Sequence, residues 1–169
     1  MEVINSIRML LLAAWLGIAI YFSAVVAPTA FTVLRSFDLP NANEIAGTIV
    51  ARTLSVVNIS GFILSLLLLI TAAVSKKSYA PMSVLFQSGL LTIVAVATGA
   101  GEWLIAARMR GLRAAMHGQI DQVPLSDPNR LAFATLHGYS VAALSVAMIA
   151  AVLVIVLMIL AREKASTVK

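Results

Sequence analysis

Long stretches without any charged side chain dominate this chain and restrict it to a membrane fold. Four of them occur, with 26, 23, 24 and 31 residues, at positions 9–34, 53–75, 78–101 and 131–161. A helix needs about 20 apolar residues to cross a hydrocarbon core of about 30 Å, so each stretch is long enough to cross once and none is long enough to cross twice. The sequence therefore predicts an all-α integral membrane bundle of four transmembrane helices that run up-down-up-down.

Composition supports a single membrane domain. Only 11% of the residues are charged, against about 25% in soluble domains, and the mean hydropathy is +1.00. The first stretch is far longer than the apolar core of a signal peptide, so we interpret it as a retained span. We expect one four-helix transmembrane domain over residues 1–169, with spans at about 9–33, 53–75, 81–105 and 131–160.

The charges point to lipid and away from other partners. The net charge is +5, and most Lys and Arg residues stand next to span ends, where they meet anionic headgroups. We therefore expect the lipid bilayer as a partner and no nucleic acid. The chain has no cysteine, which excludes disulfides, thiolate metal sites and a cysteine nucleophile.

The number of spans says more about orientation than the charges do. An even number of spans places both termini on one side, and Lys76–Ala80 is a link short enough to make spans 2 and 3 an antiparallel hairpin. Lys and Arg divide six to six between the two sides, so the positive-inside rule gives no preference. Five of the seven acids then lie opposite the termini, which favours cytoplasmic termini in a bacterial inner membrane.

The first span combines aromatic and small residues. We interpret Trp15 and Tyr21 as aromatic anchors at the membrane interface. Ala13 and Gly17 form a small-xxx-small pair, which allows another helix to approach closely.

Pro28 interrupts the hydrogen bonding of the first span near its end. It has no N–H and its ring clashes with the carbonyl of Ala24. Two interpretations follow: the helix simply ends or kinks there, or the freed carbonyl lines a polar pocket with Ser23 and Thr29.

Spans 2 and 3 each carry a row of small and polar residues. Asn58, Gly61 and Ser65 share one face of span 2. Span 3 carries a row of small and polar residues at steps of 4, 3, 4 and 3, which predicts a packing seam. The row consists of Ser88, Thr92, Ala95, Gly99 and Glu102. Its acid either ends a plain helix interface beside Trp103 or marks a functional site.

Local signals predict where helices start. Pro81 suits the first turn of span 3. Asn43 is a candidate cap for a short helix that runs into span 2. Ser126 and Asp127 before Pro128 predict the start of the last helix, with Asp127 as its cap.

An amphipathic helix is predicted after span 3. Ile105, Met109, Leu112 and Met116 repeat at helical spacing, whereas Arg110, Arg113 and His117 share a different face. Such a pattern is typical of a segment that lies at the membrane interface.

Few residues offer chemistry. We find no catalytic constellation, no metal motif and no cofactor motif, so we predict none of these. The candidate polar cluster consists of Glu102, Arg130 and His137, because the end of span 3 and the start of span 4 reach the same membrane face. Ionisable groups at membrane depth indicate function by default. The alternative is three separate headgroup contacts.

Short motifs in chain order resemble the transmembrane-protein-205-like family. They are residues 15–17, residues 25–31 with Pro28 and Phe31, the basic stretch 108–113, and residues 133–140 with His137, Gly138 and Ser140. The resemblance implies a four-helix membrane domain without an established activity. One part differs, because residues 52–57 replace the proline- and aromatic-rich start expected for span 2.

The same family is distantly similar to copper-resistance D-type membrane proteins and to haem-pathway oxidases. Those proteins carry a histidine early in span 1, whereas residues 6–11 of this chain contain none. The chain therefore lacks the histidine that would be the best ligand for copper or haem.

Two functional hypotheses follow from the sequence. In the first, the protein is a non-enzymatic helix-packing or accessory component that assembles with itself or with a larger membrane complex. In the second, it binds or transports a small solute or a metal of the copper or haem type at a polar site near Glu102 and His137.

Overall fold

The computed structural model describes residues 2–74, 81–116 and 118–167, with side chains over 3–72, 84–116 and 118–161. Within these residues all regular structure is helical, as predicted. The elements are α1 (Glu2–Tyr21), π1 (Phe22–Val26), α2 (Ala27–Arg35), α3 (Ala42–Val74), α4 (Pro81–Gly99), π2 (Ala100–Ala106), α5 (Ala107–Ala115) and α6 (Pro128–Thr167).

Four continuous rods arise from these elements, and each is apolar and long enough to cross a membrane. The first joins α1, π1 and α2, the third joins α4, π2 and α5, and α3 and α6 are the second and fourth. The spans are Val3–Arg35, Ala42–Ala72, Val84–Ala115 and Pro128–Ala161. The predicted fold class is confirmed. The rods exceed the roughly 20 residues that a bilayer needs, so their ends project beyond the hydrocarbon.

Side-chain contacts show that neighbouring rods are antiparallel. Arg8 donates to the carbonyl of Leu68 near one end of α3, whereas Trp15 donates to the carbonyl of Val57, farther back along α3. The rod after α3 reverses again, since its Gly99 lies against Phe62 and its later Gly101 lies against the earlier Asn58. Because α6 packs on both α1 and α4, the four rods close into a ring.

Each rod buries one row of residues at alternating steps of four and three, the spacing of left-handed helix packing. On the first rod this row is Arg8, Leu12, Trp15, Ala19 and Phe22, and on α6 it is Ser140, Leu144, Ala147, Ala151, Val154 and Met158. The face of α3 that Asn58, Gly61 and Ser65 share is buried. The predicted interfacial role of Trp15 is wrong, since its side chain lies in the core.

The seam of the third rod is displaced from its predicted position. The buried row runs through Gln87, Leu91, Val94, Thr98 and Gly101, one residue before the predicted row. Ala95, Gly99 and Glu102 are also buried, but Ser88 is half-buried and Thr92 is exposed. Large apolar side chains thus occupy the centre of this interface, and the small residues lie on its flank.

Pro28 neither ends nor breaks the first rod. The chain widens into π1 immediately before it, which accommodates the missing N–H and the ring without a break in the helix. Ser23 bonds the carbonyl of Ala19, and both Ser23 and Thr29 are exposed, so they do not line a pocket inside the bundle.

The predicted helix starts are confirmed at two places and wrong at a third. α4 begins at Pro81, and Asp127 accepts hydrogen bonds from the backbone N–H groups of Asn129 and Arg130 at the start of α6. Asn43 is not a cap, because α3 already begins at Ala42. The link at positions 76–80 falls outside the described residues.

The extension after the third span is helical and amphipathic, as predicted. Ile105, Met109 and Leu112 of the third rod are half-buried. Met116, which follows the end of this rod at Ala115, is buried. Arg110 lies on the exposed side. His117, which the pattern also assigns to the basic face, is not among the described residues.

Candidate functional site

Glu102 lies inside the bundle, in the π-helical segment π2. The residue is 6% exposed. Its Oε2 atom is buried and has no hydrogen-bond partner among the described residues. A buried carboxylate without full compensation is costly, and π-helical turns occur frequently at functional sites. This combination makes Glu102 the leading candidate for function in the described chain.

Asn58 of α3 packs against Gly101, the residue before Glu102. A β carbon added at Gly101 would lie 3.1 Å from the Nδ2 atom of Asn58. Asn58 is 3% exposed, and its side-chain amide makes no hydrogen bond within the described residues. A buried amide with unused hydrogen-bonding capacity therefore lies against the segment that carries Glu102.

Two arginines mark how deep this site lies. The contacts of Phe62 with Gly99 and of Asn58 with Gly101 set the register of the two antiparallel rods. In that register Arg52 and Arg108 stand at the same height, and both are exposed. They stand six residues from Asn58 and from Glu102, respectively, toward the ends of the two rods. Glu102 thus lies farther inside the bundle than the backbone of either arginine.

Arg110 supplies the cationic partner of Glu102. Its Nη1 atom lies 3.5 Å from the Oε1 atom of Glu102, and its side chain is 62% exposed. A long contact with a largely solvated guanidinium contributes little stability. The arrangement lets the stem of Arg110 run along the rod while its head stays near water, so the carboxylate is only partly neutralised.

We call the side of the bundle that carries residues 36–41 and 116–127 the loop side. On this side, above the site, a set of polar contacts that we call the clamp joins neighbouring elements. The Nε and Nη2 atoms of Arg113 donate to the two carboxylate oxygens of Glu44 at 2.9 and 2.5 Å. The backbone N–H of Ile120 also donates to Glu44, and Arg113 donates to the carbonyl of Gly118. These bonds tie the start of α3, the end of α5 and the following loop together.

A second set of polar contacts joins two helix ends to the last loop. Arg35 at the end of α2 donates to the Oδ1 atom of Asn43 at 2.7 Å, and the Nδ2 atom of Asn43 donates to Asp121 at 2.5 Å. Asn43 therefore links the end of α2 and the start of α3 to the last loop, a role that its position in the sequence did not indicate.

The predicted cluster residues differ in their surroundings. Arg130 donates to the backbone carbonyl of Val123. His137 is exposed. Within the described residues, no hydrogen bond or ion pair joins Arg130 or His137 to Glu102. The three-residue cluster remains a prediction.

The residues of the family-like motifs also differ in their surroundings. Pro28 and Gly138 are exposed, Phe31 is half-buried with the guanidinium of Arg35 5.6 Å above its ring, and Ser140 is buried. Among the described residues there is no group of three or more His, Cys, Asp or Glu side chains that could hold a metal ion.

Sequence reasoning missed Arg110 as the partner of Glu102 and missed the contact of Asn58 with Gly101. The pattern assigns Asn58 only to a helix face shared with Gly61 and Ser65. Gly101 is the available signal, because a glycine beside an acid allows another helix to come close.

Fold and site together define a multi-pass α-helical membrane protein with an acidic side chain buried inside its bundle. The chain belongs to the family of a domain of unknown function, DUF4149, whose family model matches residues 10–118. That match ends before α6, so the motif at 133–140 lies outside it. Comparisons with curated proteins and with solved structures find no match.

Proposed function

We propose that this protein takes up and releases a proton at Glu102 inside its membrane bundle. The observation that carries the proposal is the buried Oε2 atom, which has no hydrogen-bond partner among the described residues. Acidic side chains at membrane depth are rare and mark proton relays and ion pathways. This proposal follows the second hypothesis from the sequence, that the protein binds or transports a small solute, and takes a proton as that solute.

The surroundings of the carboxylate favour a proton over a larger solute. The side chain of Glu102 is 8% exposed, and a proton needs no cavity beside it. When Glu102 is charged, Arg110 at 3.5 Å is its counter-ion; when it is protonated, the electrostatic reason for that contact disappears. Binding of a proton therefore changes how strongly the side chain of Arg110 is held against the third rod.

Infrared spectroscopy of the purified protein tests this proposal. A protonated carboxyl group in a buried, poorly hydrogen-bonded site absorbs at a higher wavenumber than a hydrated one. We expect such a band to appear as the pH is lowered and to vanish in Glu102→Gln. The matched control is Glu44→Gln, which removes a carboxylate from the loop-side clamp and should leave the band in place.

Two results would refute the proposal. One is an unchanged spectrum in Glu102→Gln, which would mean that Glu102 does not bind a proton. The other is a melting temperature that rises with sodium or potassium, but not with choline, and only while Glu102 is present. That result would assign the site to a metal cation instead of a proton.

A specific surface favours the accessory hypothesis as a second candidate function. Ala13 and Gly17 are exposed on the first rod, opposite its buried row, and a β carbon added at Gly17 would meet nothing within 4 Å. Small residues on a lipid-facing surface allow close approach of another helix. We propose a second copy or a larger membrane complex as the partner. Disulfide crosslinking through Ala13→Cys in membranes tests it, and monomers alone would contradict it.

The finer relationship to the transmembrane-protein-205-like family also remains a proposal. It rests on the short motifs around Pro28 and His137 and adds no ligand to the site.

A further inference from the structure

We propose that Arg52 and Arg108 bind the headgroup of an anionic phospholipid on the loop side, with its acyl chains against Trp103 and Leu104. This binding site is separate from Glu102 and does not depend on the function proposed for it.

The first observation is how the loop-side arginines are paired. Four of the six arginines on this side bind other groups of the protein. Arg35 donates to Asn43, Arg110 contacts Glu102, Arg113 donates to Glu44 and Arg130 donates to the carbonyl of Val123. Arg52 and Arg108 make no hydrogen bond or ion pair with any described residue. A guanidinium group at the edge of a bilayer without a protein partner is free to bind phosphate, for which its planar fork is well shaped.

The second observation is that these two arginines share one height. The register set by Asn58 with Gly101 and by Phe62 with Gly99 puts Arg52 of α3 level with Arg108 of the neighbouring rod. Both side chains are exposed. Residues of adjacent helices at one height meet the same layer of the bilayer, and the ends of the charge-free stretches identify that layer as the headgroup region.

The third observation is an open, mainly apolar surface beside one of them. Trp103, Leu104, Ala107 and Arg108 line it. Trp103 is 52% exposed and Leu104 is 65% exposed. Trp103 is also held in place, because its ring packs edge-to-face on Phe62 with centroids 4.8 Å apart. This surface thus offers a fixed apolar wall next to a cation, which matches a lipid with a negative headgroup.

Native mass spectrometry of the full chain in detergent tests the proposal. The probes are phosphatidylglycerol, which is anionic, and phosphatidylcholine, which has no net charge. We expect tighter binding of phosphatidylglycerol, and a loss of about fivefold in its affinity in Arg52→Gln and in Arg108→Gln, since one basic residue near an anionic surface contributes about that much. The control is Arg35→Gln, which removes the same charge from the same side but from an arginine that Asn43 already binds.

Three outcomes would overturn the proposal. Equal losses in Arg35→Gln and Arg108→Gln would show general attraction to the basic surface. Equal affinity for the two lipids would show that the acyl chains alone are recognised. Protection of the protein against heat by inorganic phosphate, to the same extent as by the lipid, would assign the arginines to a soluble anion. Each variant is compared with its own lipid-free state, so a change in folding stability does not affect the comparison.

Discussion

At the scale of single residues, the indole of Trp15 lies against the backbone of Gly61. Its Nε1 atom donates to the carbonyl of Val57 at 3.0 Å, which fixes the ring in place. A β carbon at Gly61 would lie 2.6 Å from Cζ2 of the indole. The ring cannot yield without loss of its hydrogen bond, so Gly61 is required for the contact between the first two rods.

We expect Gly61→Ala to destabilise the bundle by about 1–3 kcal/mol, the usual cost of overpacking. The measurement is thermal unfolding in detergent. Gly17→Ala is the matched control, because nothing lies within 4 Å of the added carbon and alanine is the better helix former. Equal melting temperatures of the two variants would show that the first two rods do not meet at Trp15.

The partner of Glu102 illustrates what single-residue patterns do not reveal. In a regular α-helix the residue seven positions on returns to nearly the same face, whereas Arg110 stands eight positions after Glu102. The π-helical turns of π2 hold more residues per turn, which brings the eighth residue onto that face. A π-helical segment has no clear signature in one sequence, so this ion pair was not predictable from spacing.

At the scale of elements, the third rod shows why its seam was predicted one residue out of place. Small residues identify the edge where helices approach closely. A β carbon added at Gly99 would lie 3.2 Å from the ring of Phe62. The centre of the interface belongs to Leu91 and Val94, which are buried although their type does not distinguish lipid from protein neighbours. Apolar residues are ambiguous in a membrane, and this ambiguity limits the prediction.

Replacing Gly99 by leucine should separate the second and third rods and lower stability by about 1–3 kcal/mol. The control is Gly89→Leu on the same helix, where an added β carbon meets nothing within 4 Å and the residue is exposed. Thermal unfolding in detergent again gives the readout. An unchanged melting temperature in Gly99→Leu would place this face toward lipid.

At the scale of the whole molecule, the number and order of the spans were predictable because hydrocarbon thickness sets the length of an apolar stretch. The start of α3 was predicted only in part. α3 begins at Ala42, one residue before the predicted cap at Asn43, and runs without a break through the polar residues before span 2. The contact of Glu44 with Arg113, 69 residues away, stabilises this projecting part. The local sequence does not indicate so distant a partner.

Cysteine labelling tests the arrangement of the whole chain, which has no cysteine of its own. We expect cysteines at Ser78 and Ser166 to react with an impermeant reagent from one side of the membrane and a cysteine at Asn41 to react from the other. The preferred orientation places the first two in the cytoplasm. Reaction of Ser78→Cys and Asn41→Cys from the same side would contradict an up-down-up-down bundle.

The antiparallel contacts have a consequence for biogenesis. Arg8 with Leu68 and Trp15 with Val57 involve the first two rods alone, so this pair can assemble while the rest of the chain is still on the ribosome. Asn58 is then already in the bilayer when the segment with Glu102 leaves the insertion machinery. The bond between Glu44 and Arg113 forms only after three spans have been made. A buried polar side chain is thus already present on α3 when Gly101, the residue before Glu102, packs against it.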